Sequence, residues 1–284
     1  TSLTDIAYQC GKELTCFFEN VHADNETQFV YAADRYVNSY KCLGFVNSTL
    51  PQLPIDLFKR YPNIEILYAA NLKLTSVSRS LFESAGKLVD LHLEGNQITG
   101  NVQENAKLIC NFLINDLDLE NFLFFGAISL RRVILNNNQI TSIGKDSFKK
   151  MTVKPVTIYD NAFQQKLEEI NLSHNKLTNI QYGTFSQLDS LIILNLKHNN
   201  ILLKYGLFPM MLKRLDLSYN QLKDFSLRQL LSSQLLEELK LNGNPIQNAK
   251  VEEVFPEAIF QFMHVYRMEL SDCFGCMQLA DVLI

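Results

Sequence analysis

The sequence predicts an α/β repeat fold: a leucine-rich-repeat solenoid (horseshoe) with a parallel sheet on its concave face and an N-terminal disulfide cap. Three observations predict it. Segments of the 284-residue chain share one template, with leucine-like residues at positions 1, 4, 6 and 11 and asparagine at position 9. Most copies recur every 21 to 24 residues, and Phe58, Phe82, Phe125, Phe148 and Phe185 each follow their copy's start by 18 positions. A single repeat of this kind cannot bury its apolar edge, so the copies must stack, and stacking yields a long surface suited to binding rather than catalysis.

Residues 1–39 lie outside the template and are assigned to the N-terminal cap. They contain Cys10 and Cys16, expected to pair, and an alternating run from Gln28 to Val37 that reads as a strand. A cap is needed because the first turn would otherwise expose its interior and a sheet edge.

The solenoid is assigned to residues 40–276, as ten or eleven turns, and residues 277–284 to a C-terminal end that is open to continuation. Copies start at Tyr40, Ile64, Leu88, Lys107, Leu130, Val153, Leu167, Leu191, Leu212, Leu236 and Val265. The copy at Lys107 is degenerate, with Cys110, Phe112 and Leu117 inward, and only 14 residues separate Val153 from Leu167. The segment from Val153 to Gln165 is therefore either an insertion or one of two turns sharing a compressed connection. Position 9 is Asn in eight of the eleven copies, where its amide can offer donor and acceptor groups to the backbone of neighbouring turns. Ser48, Leu72 and Cys273 fill the other three slots.

Composition narrows the function. A net charge of −4 with both signs scattered gives no footprint for nucleic acid or an anionic membrane. No run approaches the roughly 18 apolar residues of a membrane span. The chain opens on Thr1, as a cleaved signal peptide or a trimmed chain would leave it, and sequons at Asn25, Asn47 and Asn171 fit a secreted glycoprotein. With paired N-terminal cysteines, the expected location is extracellular.

Positions 4 to 6 of each copy form a short strand, and positions 2, 3, 5, 7 and 8 face the concave side. The candidate contacts there are His92, Arg131, Arg132, Ile134, Glu169, His174, Ile192, Ile193, Asn195, His198, Arg214, Asp216 and Tyr219. Alternating charge along these rows suits either a complementary protein partner or cross-strand ion pairs. Outward isoleucines suggest a covered protein footprint, or simply strand-favouring residues. His174 and His198 occupy position 8 of adjacent copies with Tyr219 next, yet two imidazoles alone make no zinc site. A glycan on Asn171 would project from the inner curve and shift contacts toward an end, an edge or the convex side.

Cys110 reads as a buried thiol. Cys42, Cys273 and Cys276 form an odd set, so one thiol is either free or available to another chain, and Cys42 can alternatively bond within the cap. No phosphate loop, nucleophile elbow or paired-His metal motif is present, so no enzyme, cofactor or metal is expected.

The stretch Phe45-Val-Asn-Ser-Thr-Leu-Pro-Gln-Leu-Pro54, followed by Leu57-Phe58 and Pro62-Asn63-Ile64-Glu65-Ile66-Leu67 and preceded by Cys10-x5-Cys16, resembles insect secreted leucine-rich proteins, particularly the mosquito leucine-rich immune molecules. The resemblance implies a haemolymph protein of innate immunity whose partner is another protein, complement-like or a receptor. It also implies Cys10 and Cys16 as the cap pair and Cys276 as a candidate for dimer linkage. The alternative is the ectodomain of a cell-surface leucine-rich receptor or adhesion protein.

Overall fold

The computed structural model describes residues 10, 15–23, 35–99, 118–119, 123–124, 126–144, 147–148, 167–178, 180–181, 183–186, 188–202, 208–226, 230, 232–250, 265 and 267–271. The chain divides into two compact units, Thr1–Met151 and Thr152–Ile284. Each is a leucine-rich-repeat solenoid with a parallel sheet, as the template requires.

In the first unit the strands are β1 (Thr15–Glu19), β2 (Cys42–Val46), β3 (Ile66–Tyr68), β4 (Asp90–His92) and, after β5 (Asp118–Leu119), β6 (Arg132–Ile134) and β7 (Ser142–Ile143). The main sheet runs β1-β2-β3-β4-β6, with Cys42 opposite Ile66, Ile66 opposite Asp90 and Asp90 opposite Arg132. Template positions 4 and 6 point inward: Leu67, Leu91, Leu93, Val133 and Leu135 are all buried. Two four-residue helices, α1 (Leu57–Arg60) and α2 (Arg79–Phe82), bring Phe58 and Phe82 into the core. The Ser78 hydroxyl caps the second by accepting from the Ser80 N–H at 3.2 Å.

In the second unit β8 (Glu169–Asn171), β9 (Ile193–Asn195), β10 (Arg214–Asp216), β12 (Glu238–Lys240) and β14 (Arg267–Glu269) pair in that order, all parallel. A second, two-stranded sheet joins β11 (Asp224–Ser226) to β13 (Asn248–Lys250).

The asparagines do what their amides allow. Asn220 Oδ1 accepts from the Ile201 N–H at 3.1 Å, and its Nδ2 donates to the carbonyls of Leu196 and Leu217, each at 3.0 Å. Asn96, Asn138, Asn199 and Asn244 repeat this bridge between successive turns. Ser48 performs a reduced version, accepting from the Val21 N–H and donating to the Val46 carbonyl. Backbone groups that the stacked turns would strand without water are thereby satisfied.

Two expectations change. β4 pairs directly with β6, so the copy expected at Lys107 adds no rung between them. Asn138 closes the gap: its Oδ1 takes the Ile98 N–H at 3.1 Å and its Nδ2 the Leu93 carbonyl at 3.0 Å, groups that an intervening rung would have claimed. Cys110, Phe112 and Leu117 of that copy lie outside the described residues, as do the segment from Val153 to Gln165, the residues 24–34 that include most of the run from Gln28, and Cys273 and Cys276.

The aromatic spine includes Phe124, which sits 5.2 Å from Phe82 and 5.5 Å from Phe148, ring centre to ring centre, while Phe125 lies outside the described residues. Phe58, Phe82, Phe124 and Phe185 each precede the next copy's start by six residues, and counting backward from Leu130 would have found it.

The cap disulfide joins Cys10 to Cys42, Cα to Cα 5.9 Å, and Cys16 takes no part in it. The reason is strand alternation. Cys16 lies opposite the core residue Leu43, whereas Cys42 points to the other face of the sheet, where Cys10 packs with Val46, Tyr68, Phe17 and Ile66. The segment before residue 40 thus contributes a parallel strand of its own, with Phe18 stacked on Phe45 at 5.0 Å.

Candidate functional site

The strands β2, β3, β4, β6, β8, β9, β10 and β12 each end in a turn whose residue at template position 8 adopts positive φ. In the first unit this residue is Asn47, Asn71, Gly95 or Asn137, with φ between 47° and 68°. Glycine and asparagine tolerate that conformation best. In the second unit the same position carries His174, His198 and Tyr219 at φ 54°, 51° and 55°, followed by Gly243. A ring at such a position costs of order 1 kcal/mol, so something must offset it.

Stacking offers part of the offset. His174 lies 4.4 Å from His198, and His198 lies 4.4 Å from Tyr219 with the two rings nearly parallel at 7°. The Tyr219 ring then covers Gly243, where an added Cβ would come within 2.5 Å of Tyr219 Cδ1. The row stays open to solvent: all three side chains are exposed, Tyr219 at 41%. Lys197 Nζ stands 5.3 Å from the Tyr219 ring centre, a cation–π contact. Burial first, then His174 and Lys197, hold the His198 imidazole below its ordinary pKa, against a smaller opposing pull from Asp216.

Position 5 of these copies serves the scaffold. Asn171 Oδ1 accepts from the Ser173 N–H and hydroxyl, Asn195 Oδ1 from the Lys197 N–H at 3.1 Å, and Asp216 Oδ1 from the Ser218 N–H at 2.9 Å. These bonds fix the turn that presents position 8. Asn195 and Asp216, expected as contacts, therefore also position their neighbours. Ile192 and Ile193 are half-exposed on β9 and its approach, with Glu169 and Arg214 on either side of Ile193 in register.

The charge rows resolve largely into ion pairs. Lys213 meets Glu237 at 2.7 Å, and Lys240 meets Glu269 at 3.0 Å and Glu238 at 3.3 Å. The Glu269 bond raises the Lys240 pKa and lowers that of Glu269. In the first unit Arg132 grips Asp90 through two guanidinium nitrogens, at 2.7 and 2.5 Å. Arg131, exposed, and Ile134, half-buried, flank that pair on β6 and its approach.

His92 belongs to a different arrangement. It stacks on Tyr68 at 4.1 Å, each ring standing on the last residue of its strand, and its Nδ1 lies 3.7 Å from Glu94 Oε1. Burial, reinforced by Asp90, pushes the Tyr68 hydroxyl up to about 12. Tyr68 and Gly243 were not among the expected contacts, and the signal available for them was a ring at the same template slot of a neighbouring copy; Lys197 lies one slot before the row that ends in Tyr219.

Asn47 is exposed at its turn, Asn171 is half-buried on β8, and Asn25 lies outside the described residues. Among the described residues no helix is long and apolar enough to cross a membrane, and no group of three or more His, Cys, Asp or Glu could hold a metal ion.

Two models of the leucine rich repeat match residues 155–201 and 209–225. Mouse keratocan is 34% identical over 89 residues, covering 28% of this chain and 25% of keratocan. Mouse podocan is 28% identical over 250 residues, 81% of this chain and 40% of podocan. Rat leucine-rich repeat-containing G-protein coupled receptor 5 is 36% identical over 108 residues, 37% of this chain and 11% of the receptor. The chain thus spans about a quarter of keratocan. Among solved structures, the APL1 leucine-rich repeat domain superposes with a TM-score of 0.57 at 19% identity, covering 90% of this chain and 70% of that one. Toll in its complex with Spatzle gives 0.57 at 19% identity, covering 76% and 30%. The chain thus carries the leucine-rich repeat and its solenoid fold, and the matches indicate no catalytic family.

Proposed function

We propose that the chain is a secreted recognition module of innate immunity that binds another protein through its solenoid surface. One observation carries the reading: the second unit places three exposed rings at backbone positions that the first unit gives to asparagine and glycine. A strained backbone supporting exposed rings is what a binding site requires and what stability alone does not explain. The half-exposed Ile192 and Ile193 supply apolar area on the same face. The immune setting rests on the resemblance of residues 42–77 and of the N-terminal cysteines to the insect secreted group.

The test uses the biotinylated full chain as bait in extracellular fluid, beside a variant carrying Ile193→Glu and Tyr219→Asn that keeps its circular dichroism spectrum. A protein captured by the native chain and lost with the variant supports the reading. Equal capture by both, or none by either, removes it. The match to the rat receptor favours a second reading, a receptor or adhesion ectodomain. Finding a membrane-spanning segment in the uncut gene would select it.

A further inference from the structure

We propose that the His174–His198–Tyr219 ridge docks an acidic segment of the partner protein, and docks it more tightly in mildly acidic fluid. This deepens the recognition reading above and rests on it. Charge complementarity selects the occupant. Lys197 stands beside the ridge, its Nζ 5.3 Å from the Tyr219 ring centre, and Lys176 is exposed at position 10 of the copy that carries His174. The one acid among the groups acting on His198 is Asp216, and it is already engaged by the Ser218 N–H and hydroxyl at 2.9 and 2.5 Å. Glu168 and Glu169 sit at positions 2 and 3, at the opposite end of the strand. The ridge therefore presents cations and imidazole edges without a competing free carboxylate from those groups. The exposed Tyr219 ring at the end of the ridge supplies apolar area for the side chains of a polypeptide.

The His198 imidazole, stacked 4.4 Å from His174 and next to Lys197, resists protonation when the ridge is empty. A docked carboxylate reverses that preference, because each proton taken up gains an ion pair. Affinity for the acidic segment thus rises as pH falls through the histidine range, while glutamate, with its ordinary pKa near 4.3, stays ionised. The groups that set this response are His174, His198, Lys197 and Asp216, with Lys176 and Tyr219 adjoining.

The experiment follows fluorescence polarisation of a labelled Glu-rich decapeptide containing Leu and Ser, against the same peptide with Gln for Glu, and against labelled heparin. The expected result is binding of the Glu peptide alone, tightening about fivefold from pH 7.5 to 5.5. His174→Asn with His198→Asn should abolish the tightening without unfolding the chain, since asparagine already occupies this turn at Asn47, Asn71 and Asn137. Lys176→Gln with Lys197→Gln should weaken binding at both pH values. No Glu-peptide binding, equal binding of the Gln peptide, heparin binding in its place, or full tightening in the double asparagine variant would each overturn the proposal. If the asparagine variant with Lys197→Gln still captures the natural partner undiminished, the ridge is not the contact while the recognition reading stands. If capture fails but the peptide behaves as expected, the reverse holds.

Discussion

The two units build the same strand and the same turn, yet they end it differently. In the first, the left-handed residue after each strand is asparagine or glycine, and the aromatic pair Tyr68–His92 lies within the strands, half-sheltered. In the second, the rings stand on the turn itself and face solvent. The difference teaches that the repeat separates two tasks. Inward positions, with a buried asparagine in most copies, hold the turns in register, so the turn residue can be given to recognition at a modest local cost.

The largest effect should come from breaking what the units share. Asn220→Ala leaves the Ile201 N–H and the Leu196 and Leu217 carbonyls without their partner. Urea unfolding should show a loss of about 3 kcal/mol or more. Ser48→Ala, which removes one hydroxyl from the corresponding slot of the first unit, should cost about 1 kcal/mol. Equal losses would mean that the ladder does not carry the second unit. Next, Phe124→Ala interrupts the row that links Phe82 to Phe148 and should cost about 2–3 kcal/mol by the same measurement.

Smaller effects separate the turns. Gly243→Ala meets both the Tyr219 ring and a φ of +68°. It should cost about 1–2 kcal/mol and quench the tyrosine's fixed environment in near-ultraviolet circular dichroism. His198→Asn exchanges ring stacking for relief of the backbone, two effects of similar size, and should change stability by no more than about 1 kcal/mol. The smallest effect is the pH dependence. His198 has a depressed pKa in the folded chain, so its contribution is fully present above the unfolded value near 6.5 and is lost as pH falls through the folded value. The melting temperature of the native chain should therefore decline below about pH 6.5 more than that of His198→Asn, and parallel curves would contradict the assignment.

Much of this was legible in the residues. Periodic leucines fixed the inward positions, and the asparagine chemistry foretold the bridges made by Asn96, Asn138 and Asn220. The row His174, His198, Tyr219 could be read from spacing alone. What misled was local likeness without partner information. Residues 107–117 matched the template, but sheet membership is decided by which neighbour supplies hydrogen bonds, and Asn138 had already claimed Ile98 and Leu93. Cys16 was near Cys10 in sequence, but alternation along β1 turned it to the other face. The left-handed backbone at position 8 was hidden, because it is a backbone property that histidine and tyrosine do not advertise.

The direct pairing of β4 with β6 has an engineering consequence. Residues 88 and 130 begin neighbouring turns although 42 residues separate them, against 24 between Ile64 and Leu88. The ladder therefore closes over an excursion of eighteen extra residues, and lengthening such an excursion further costs only about 0.6 kcal/mol per doubling. A change in the length of that connection should therefore leave the pairing of β4 with β6 standing.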